Sequence, residues 1–403
     1  MPKDFDHPPT SAAKPIIPVL QADALVVGPN GAIFLSPDGE IEELPGPQAA
    51  SRAQTTPPLL CHGPAVAAQL RTGRFQALDV LELYAFVRPA DFCLPTPGGL
   101  ATALMLPPPH DVDSAATILP MAAKALLEEL ASARDRPFAP EIAQMMASSG
   151  WIWGPWVLAA LSTPPKSGAL PPKIWEALPE WREEAPPPPP GDEPVAPEQA
   201  LKRLGQLLGS GAESRPQQQE FAAASTTAFA PRSQAGEPNV VLAEAGTGIG
   251  KTLGYVAPAS LWAERNQGPV WISTYTRNLQ RQVDQELDKL FPDPVAKRRK
   301  TVVRKGRENY LCLLNLAESS NRAQLGGGVA LGLMMRWVLA TRDGDTGGDF
   351  PAWLPSLVGY EPTIGLTDRR GECIYSACDH YQRCFIERTQ RRARTAQLVI
   401  ANH

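Results

Sequence analysis

The stretch NVVLAEAGTGIGKTLGYV, residues 239–256, sets three glycines in five positions between an apolar, β-branched segment and a helix-like apolar pattern. Glycine inside regular structure costs roughly 0.5–1 kcal/mol relative to alanine, so a run of them between a strand and a helix demands a chemical reason. A loop of Ala245, Gly246, Thr247, Gly248, Ile249 and Gly250 can curl so that successive backbone N–H groups point inward. A helix starting at Lys251 adds its positive dipole end. Such a cradle suits polyphosphate: Lys251 would reach the β- and γ-phosphates, and the Thr252 hydroxyl would sit on a bridging Mg2+. Lys251 and Thr252 are therefore the expected catalytic residues. The pattern G-x-x-x-x-G-K-[ST] is met except at its first position, where Ala245 stands.

The 403 residues are enough for two or three domains, each with its own core. No run of about 18 apolar residues occurs, and the first 15 residues lack an apolar export core, so the expected location is the cytoplasm, with no membrane partner. The net charge of −4 hides an asymmetry: residues 201–403 carry 26 Lys and Arg against 19 Asp and Glu, while residues 1–200 are acidic. A basic half that contains a phosphate loop is compatible with nucleic acid; a solvated basic surface has the same composition.

Of the 44 prolines, many fall in residues 162–200, which read as a linker with a polyproline spacer at 186–190. The segment KIWEALPEW within it is expected to dock its tryptophans on a neighbour. Beyond the linker, strand and helix alternate: a strand at 239–243, a helix from Lys251, a strand in PVWIST, a helix over 277–290, and strands in TVVRKG and QLVIANH. That order predicts a parallel α/β domain. Before the linker, residues 25–35 and 40–44 suggest hairpin strands and 121–131 a helix, giving a small α/β domain.

Cys312, Cys373, Cys378 and Cys384 follow the spacing C-x60-C-x4-C-x5-C. In a reducing compartment such a set points to ligation more than to disulfides. Four thiolates can enclose a [4Fe-4S] cluster or a tetrahedral zinc; the absence of short C-x2-C knuckles favours the larger group. Cys61 and Cys93 have no partners at ligand spacing and read as buried, small apolar residues.

The phosphate loop, WISTYTRNLQRQV, RKGRENYLC, the spaced cysteines and AQLVIANH occur in an order that resembles the DinG/XPD family of iron–sulfur DNA helicases. The resemblance covers about residues 201–403. It implies a RecA-like P-loop motor domain with an inserted 4Fe-4S domain, ATP, Mg2+ and a 4Fe-4S cluster as cofactors, and single-stranded, forked or R-loop DNA as partner. It places the first part of the motor at 201–304, the cluster insertion at 305–395 and a return strand at 396–403. By the same resemblance Arg215 and Gln218 would contact the adenine, Thr274 and Thr276 would lie in the segment that tracks the DNA backbone, and the context would be DNA repair or replication conflict. The family's Asp-Glu-Ala-His motif is expected just after His403, so residues 1–403 alone are expected not to unwind DNA. The segments KRRKTVVRKGRENY and HYQRCFIERTQRRAR supply cations and aromatics next to the cluster cysteines, the ingredients of a single-strand groove.

Residues 1–161 follow the segment order of DnaQ-like 3'-5' exonucleases, an RNase H-like fold that some of these helicases carry at the N-terminus. Two-metal chemistry needs paired first-strand acids, and only Asp23 is present. Alanines replace the aspartate expected after His62, and His110 and Asp113 stand closer together than the family's pair. A degenerate, inactive domain is the expectation. The rival reading of the whole is a non-catalytic, nucleic-acid-binding iron–sulfur protein.

Overall fold

The computed structural model describes residues 17–402 apart from 134–135, 212, 214, 235, 323–326 and 370. The first 15 residues, on which the absence of an export segment was read, and His403 lie outside the described residues. Among the described residues no helix is long and apolar enough to cross a membrane. The chain forms two compact units: residues 1–179 with 308–380, and residues 180–307 with 381–403.

In the first unit, strands β1 (Ala24–Val27), β2 (Ala32–Leu35) and β3 (Ile41–Leu44) form an antiparallel meander. β4 (Leu59–Leu60) and β5 (Leu78–Asp79) extend it in parallel, giving the order β3-β2-β1-β4-β5. β1 and β2 are apolar at every position, and alternate residues of each face one side of the sheet. Leu25 and Phe34 join Leu60 and Val66 in a core with helices α1 (Gly46–Thr55) and α2 (Gly63–Gln69). The Asp79 carboxylate caps α3 (Val80–Val87), and α4 (Pro97–Ala103) follows. A reciprocal Asp111–Ser114 capping box starts α5 (Val112–Ser132), which packs on β1 and β2 and runs well beyond the expected 121–131. Helices α6 (Ala139–Ser148) and α7 (Gly154–Ala160) complete the N-terminal part. The segment 308–380 joins this unit through α13 (Leu313–Arg322), α14 (Gly328–Ala340) and α15 (Leu354–Val358).

The second unit is built on a parallel sheet of order β6-β8-β7, with β6 (Val270–Thr274), β7 (Thr301–Arg304) and β8 (Leu398–Asn402). Central β8 is apolar at Leu398, Val399 and Ile400, as a strand covered on both faces must be. Leu398, Ile400 and Ile272 face helices α8 (Pro197–Leu208), α9 (Pro216–Ser225), α10 (Lys251–Asn266) and α11 (Arg277–Leu290). The alternate residues Val302 and Val399 pack on Ala393 and Ala396 of the α16 (Phe385–Thr395) side. A short basic helix, α12 (Pro294–Lys300), leads into β7.

Two expectations differ from the structure. Residues 239–243 form no strand: they pair with no other described strand, and Val240 and Leu242 are exposed. A β-branched segment without a ladder partner leaves its backbone groups to water, so propensity alone does not make it a strand. The C-terminal part of the proline-rich segment is also not a free spacer. The Asn266 side chain bonds both ways with the Glu193 backbone at 2.8 and 3.0 Å, and Gly191 N–H donates to the Asn266 carbonyl. The tryptophans dock as expected. Trp181 donates to the Tyr381 carbonyl at 2.7 Å and lies under the Arg391 guanidinium at 3.3 Å, and Trp175 packs edge-on to His380.

Candidate nucleotide-binding site

α10 begins at Gly250, whose φ of 84° is the left-handed conformation that favours glycine. A Cβ there would also overlap the Gln218 amide, so both backbone and packing exclude a side chain. Gly248 repeats the positive φ (83°) on the exposed crest of the loop. The first N–H groups of a helix have no intrahelical acceptor, and those after Gly250 are the dipole's positive end.

Three side chains brace the loop through its carbonyls. Lys251 Nζ donates to Ala245 at 2.7 Å and Gly246 at 3.1 Å, Arg215 Nη1 to Gly248 at 2.9 Å, and Gln218 Nε2 to Gly250 at 2.7 Å. Arg215 is the N-cap of α9, and Gln218, one turn on, is buried against α10. One helix therefore carries two of the sequence-predicted residues onto the loop. A cavity of about 270 Å³ opens beside it, lined by Arg215, Gln218, Gly250 and Thr252 and walled by Gln282 and Glu286 of α11. Burial pushes the Tyr255 phenol up, and its hydrogen bond with Thr252 works the other way. Ala245, Thr247 and Ile249 complete the loop without lining that cavity.

Sequence reasoning missed the α11 wall. Gln282, Glu286 and Lys289 recur at i, i+4 and i+7, and Lys289 pairs with Glu286 at 2.6 Å. The polar stripe was legible; its direction toward the loop was not.

No family profile matches the chain. Curated relatives do. "ATP-dependent helicase DinG" of Mycobacterium tuberculosis (strain ATCC 25177 / H37Ra) is 34% identical over 214 residues, 48% of this chain and 31% of the relative. "ATP-dependent DNA helicase YoaA" of Escherichia coli K12 is 34% identical over 217 residues, 49% of this chain and 30% of the relative. Over about half of its length, this chain is DinG-like. "3'-5' exonuclease DinG" of Bacillus subtilis 168 is 31% identical over 215 residues, 50% of this chain and 21% of the relative. The matched segments span less than a third of these relatives.

In the DinG-like chain Thr274 and Thr276 stand at the C-terminal end of β6, the edge where open α/β sheets bind ligands. Both also have structural partners. Thr274 Oγ1 donates to the Ala401 carbonyl at 3.1 Å, and Thr276 caps α11 by accepting from Leu279 N–H at 3.2 Å. The flanking basic segments divide in the same way. Lys297 is paired with Asp284 and Asp288, and Tyr310 and Phe385 are buried core, so neither aromatic can stack a base as placed.

None of the six cysteines is in a disulfide. Cys61 and Cys93 are buried, and burial pushes the Cys93 thiol up to about 12. Cys312, Cys373, Cys378 and Cys384 are all half-buried. The first three belong to the first unit, and Cys384 is the N-cap of α16 in the second. Burial raises the Cys378 thiol, and Cys373 adds to the shift. Among the described residues no group of three or more His, Cys, Asp or Glu is placed to hold a metal ion.

Proposed function

We propose that this chain contributes the nucleotide-binding segment of an ATP-dependent DNA helicase that acts on single-stranded, forked or R-loop DNA in the cytoplasm, in repair or replication conflict. The observation that supports it best is the phosphate loop itself: a glycine with φ of 84° opening a 16-residue helix, with Lys251 held on the loop carbonyls. ATP phosphates would take over Lys251 from Ala245 and Gly246, exchanging two neutral acceptors for charged ones. Thr252 would hold Mg2+, which would supply charge neutralisation at the phosphates, and Arg215 and Gln218 would meet the adenine side of the cavity. Hydrolysis and unwinding are proposed for the whole protein, in which Lys251 and Thr252 position and neutralise the γ-phosphate.

The reading includes a 4Fe-4S cluster on Cys312, Cys373, Cys378 and Cys384. Four cysteines outside any disulfide suit that group chemically, although among the described residues no group of three or more His, Cys, Asp or Glu is placed to hold a metal ion. When bound, the cluster would cross-link the segments that carry its thiolates. The N-terminal domain is read as a degenerate exonuclease. Asp23, its one first-strand acid, is tied to Arg52 at 2.6 Å, and the mixed order β3-β2-β1-β4-β5 supports an RNase H-like sheet.

Binding of a labelled oligonucleotide tests the DNA reading. Affinity should fall steeply with salt, since phosphate contacts act through counterion release. A salt-independent affinity excludes that mechanism. Anaerobically prepared protein should carry about four irons per chain, with broad absorbance near ~400 nm. Stoichiometric zinc without iron would sink the cluster assignment.

A further inference from the structure

α14 is buried around almost its whole circumference: ten of its residues, from Gly328 to Val338, are inaccessible. A helix apolar on every side must be enclosed by other elements, and here α3 and α6 of the N-terminal domain do the enclosing. We propose that the N-terminal domain is the receptor for the segment 308–380, gripping it through α14, so that a nuclease-like fold serves as a docking partner and not as an independent module.

Three residues one turn apart make the seam. A Cβ on Gly332 would overlap the Met146 side chain and meet Ile142 Cγ2 at 3.2 Å. One on Gly328 would overlap the Ser149 hydroxyl and stand 2.8 Å from its Cβ. The two helices therefore approach so closely that only glycine fits at both positions. Arg336, the next residue on that stripe, is buried, donates Nε to the Phe86 carbonyl at 2.9 Å and lies 5.1 Å over the Phe86 ring. Phe86 is in the last turn of α3, where the helix dipole favours a cation. A buried guanidinium is retained only where acceptors are supplied, and the N-terminal domain supplies this one.

Contacts away from α14 agree. Trp353 Nε1 donates to the Cys93 carbonyl at 2.9 Å, and Arg74 donates to the Ser356 carbonyl at 3.2 Å. Ser356 Oγ stands 2.8 Å from His62 Nε2. That last contact puts α15 beside His62, just before the alanines that stand where the resemblance expects an acid.

The test is to cut the connection and ask whether the pieces stay together. A protease site inserted after Ser167, in an exposed stretch, divides the full chain once it has folded. Both fragments should elute together at the volume of the uncut chain. Gly332→Leu should separate them, while Gly205→Ala, a glycine of α8 with open space around it, should not. Separation of the otherwise unaltered fragments, or co-elution despite Gly332→Leu, overturns the proposal. In the uncut chain, Arg336→Ala should speed amide hydrogen exchange in α6 and α14 together, by about tenfold or more, without changing α10. Unchanged exchange in α6 would contradict the docking directly.

Discussion

At the phosphate loop, residues 245–250 carry their backbone near the surface, and two of the three side chains that hold them, Lys251 and Arg215, are cations that an anion can draw away. At the edge of the N-terminal sheet the same kinds of groups are committed internally. Asp23 is held by Arg52, which also bonds Glu42. Asp79 accepts from the backbone of His62, Gly63 and Leu81. Glu82 is half-buried and accepts from Trp151 Nε1 at 3.0 Å. Polar groups near a sheet edge are thus not enough for a site; what differs is whether a ligand can replace their present partners at low cost.

The sharpest way to break this contrast is through Glu82. Burial pushes its carboxyl up to about 8, with Asp79 adding to the shift. Since the folded pKa exceeds the unfolded one, the protonated form is favoured on folding. The stabilisation is complete below the ordinary glutamate range and is lost as pH rises toward 8. Over that window stability of the first unit should fall by a few kcal/mol, at roughly 1.4 kcal/mol per unit of pH. Glu82→Gln should flatten the slope in denaturant melts. An unchanged slope would show that Glu82 is solvated and the sheet edge open.

Next in size is Gly250→Ala. The left-handed backbone should cost about 1–2 kcal/mol, and the new methyl would displace Gln218, so nucleotide affinity should fall with stability. A variant with normal nucleotide affinity would mean that the loop adapts freely. The smallest effect is expected at Asp23→Ala. It removes a half-buried ion pair worth about 1 kcal/mol and should leave metal-dependent nuclease activity as absent as before. Manganese-dependent degradation of single-stranded DNA, lost in Asp23→Ala, would reverse the assignment of the N-terminal domain.

Much of the second unit could be read from the sequence, because its signals are local. Thr276 caps α11, the helix spans the predicted 277–290, and β6, β7 and β8 fall within the three apolar segments assigned to them. Arg215 and Gln218, which the resemblance assigned to the adenine, lie against the loop and bond the Gly248 and Gly250 carbonyls. What the sequence did not disclose depends on distant partners. Residues 239–243 have strand composition but no described strand beside them. Asn266 ties down the proline segment from more than seventy residues away. Nothing in GVALGLMMRW reveals that Gly328 and Gly332 face Ser149 and Met146 so closely that no Cβ fits. Periodicity shows which face of an element is apolar, and only the fold shows what covers it.

The central claim, that this loop binds a nucleoside triphosphate, is tested most directly by titrating Mg-ATP into the protein and into Lys251→Ala by calorimetry. One saturable site per chain is expected, with a matching rise in stability of about 2.7 kcal/mol at a hundredfold excess over Kd, and loss of both in the variant. No binding to the unaltered chain, or equal binding to Lys251→Ala, would contradict it.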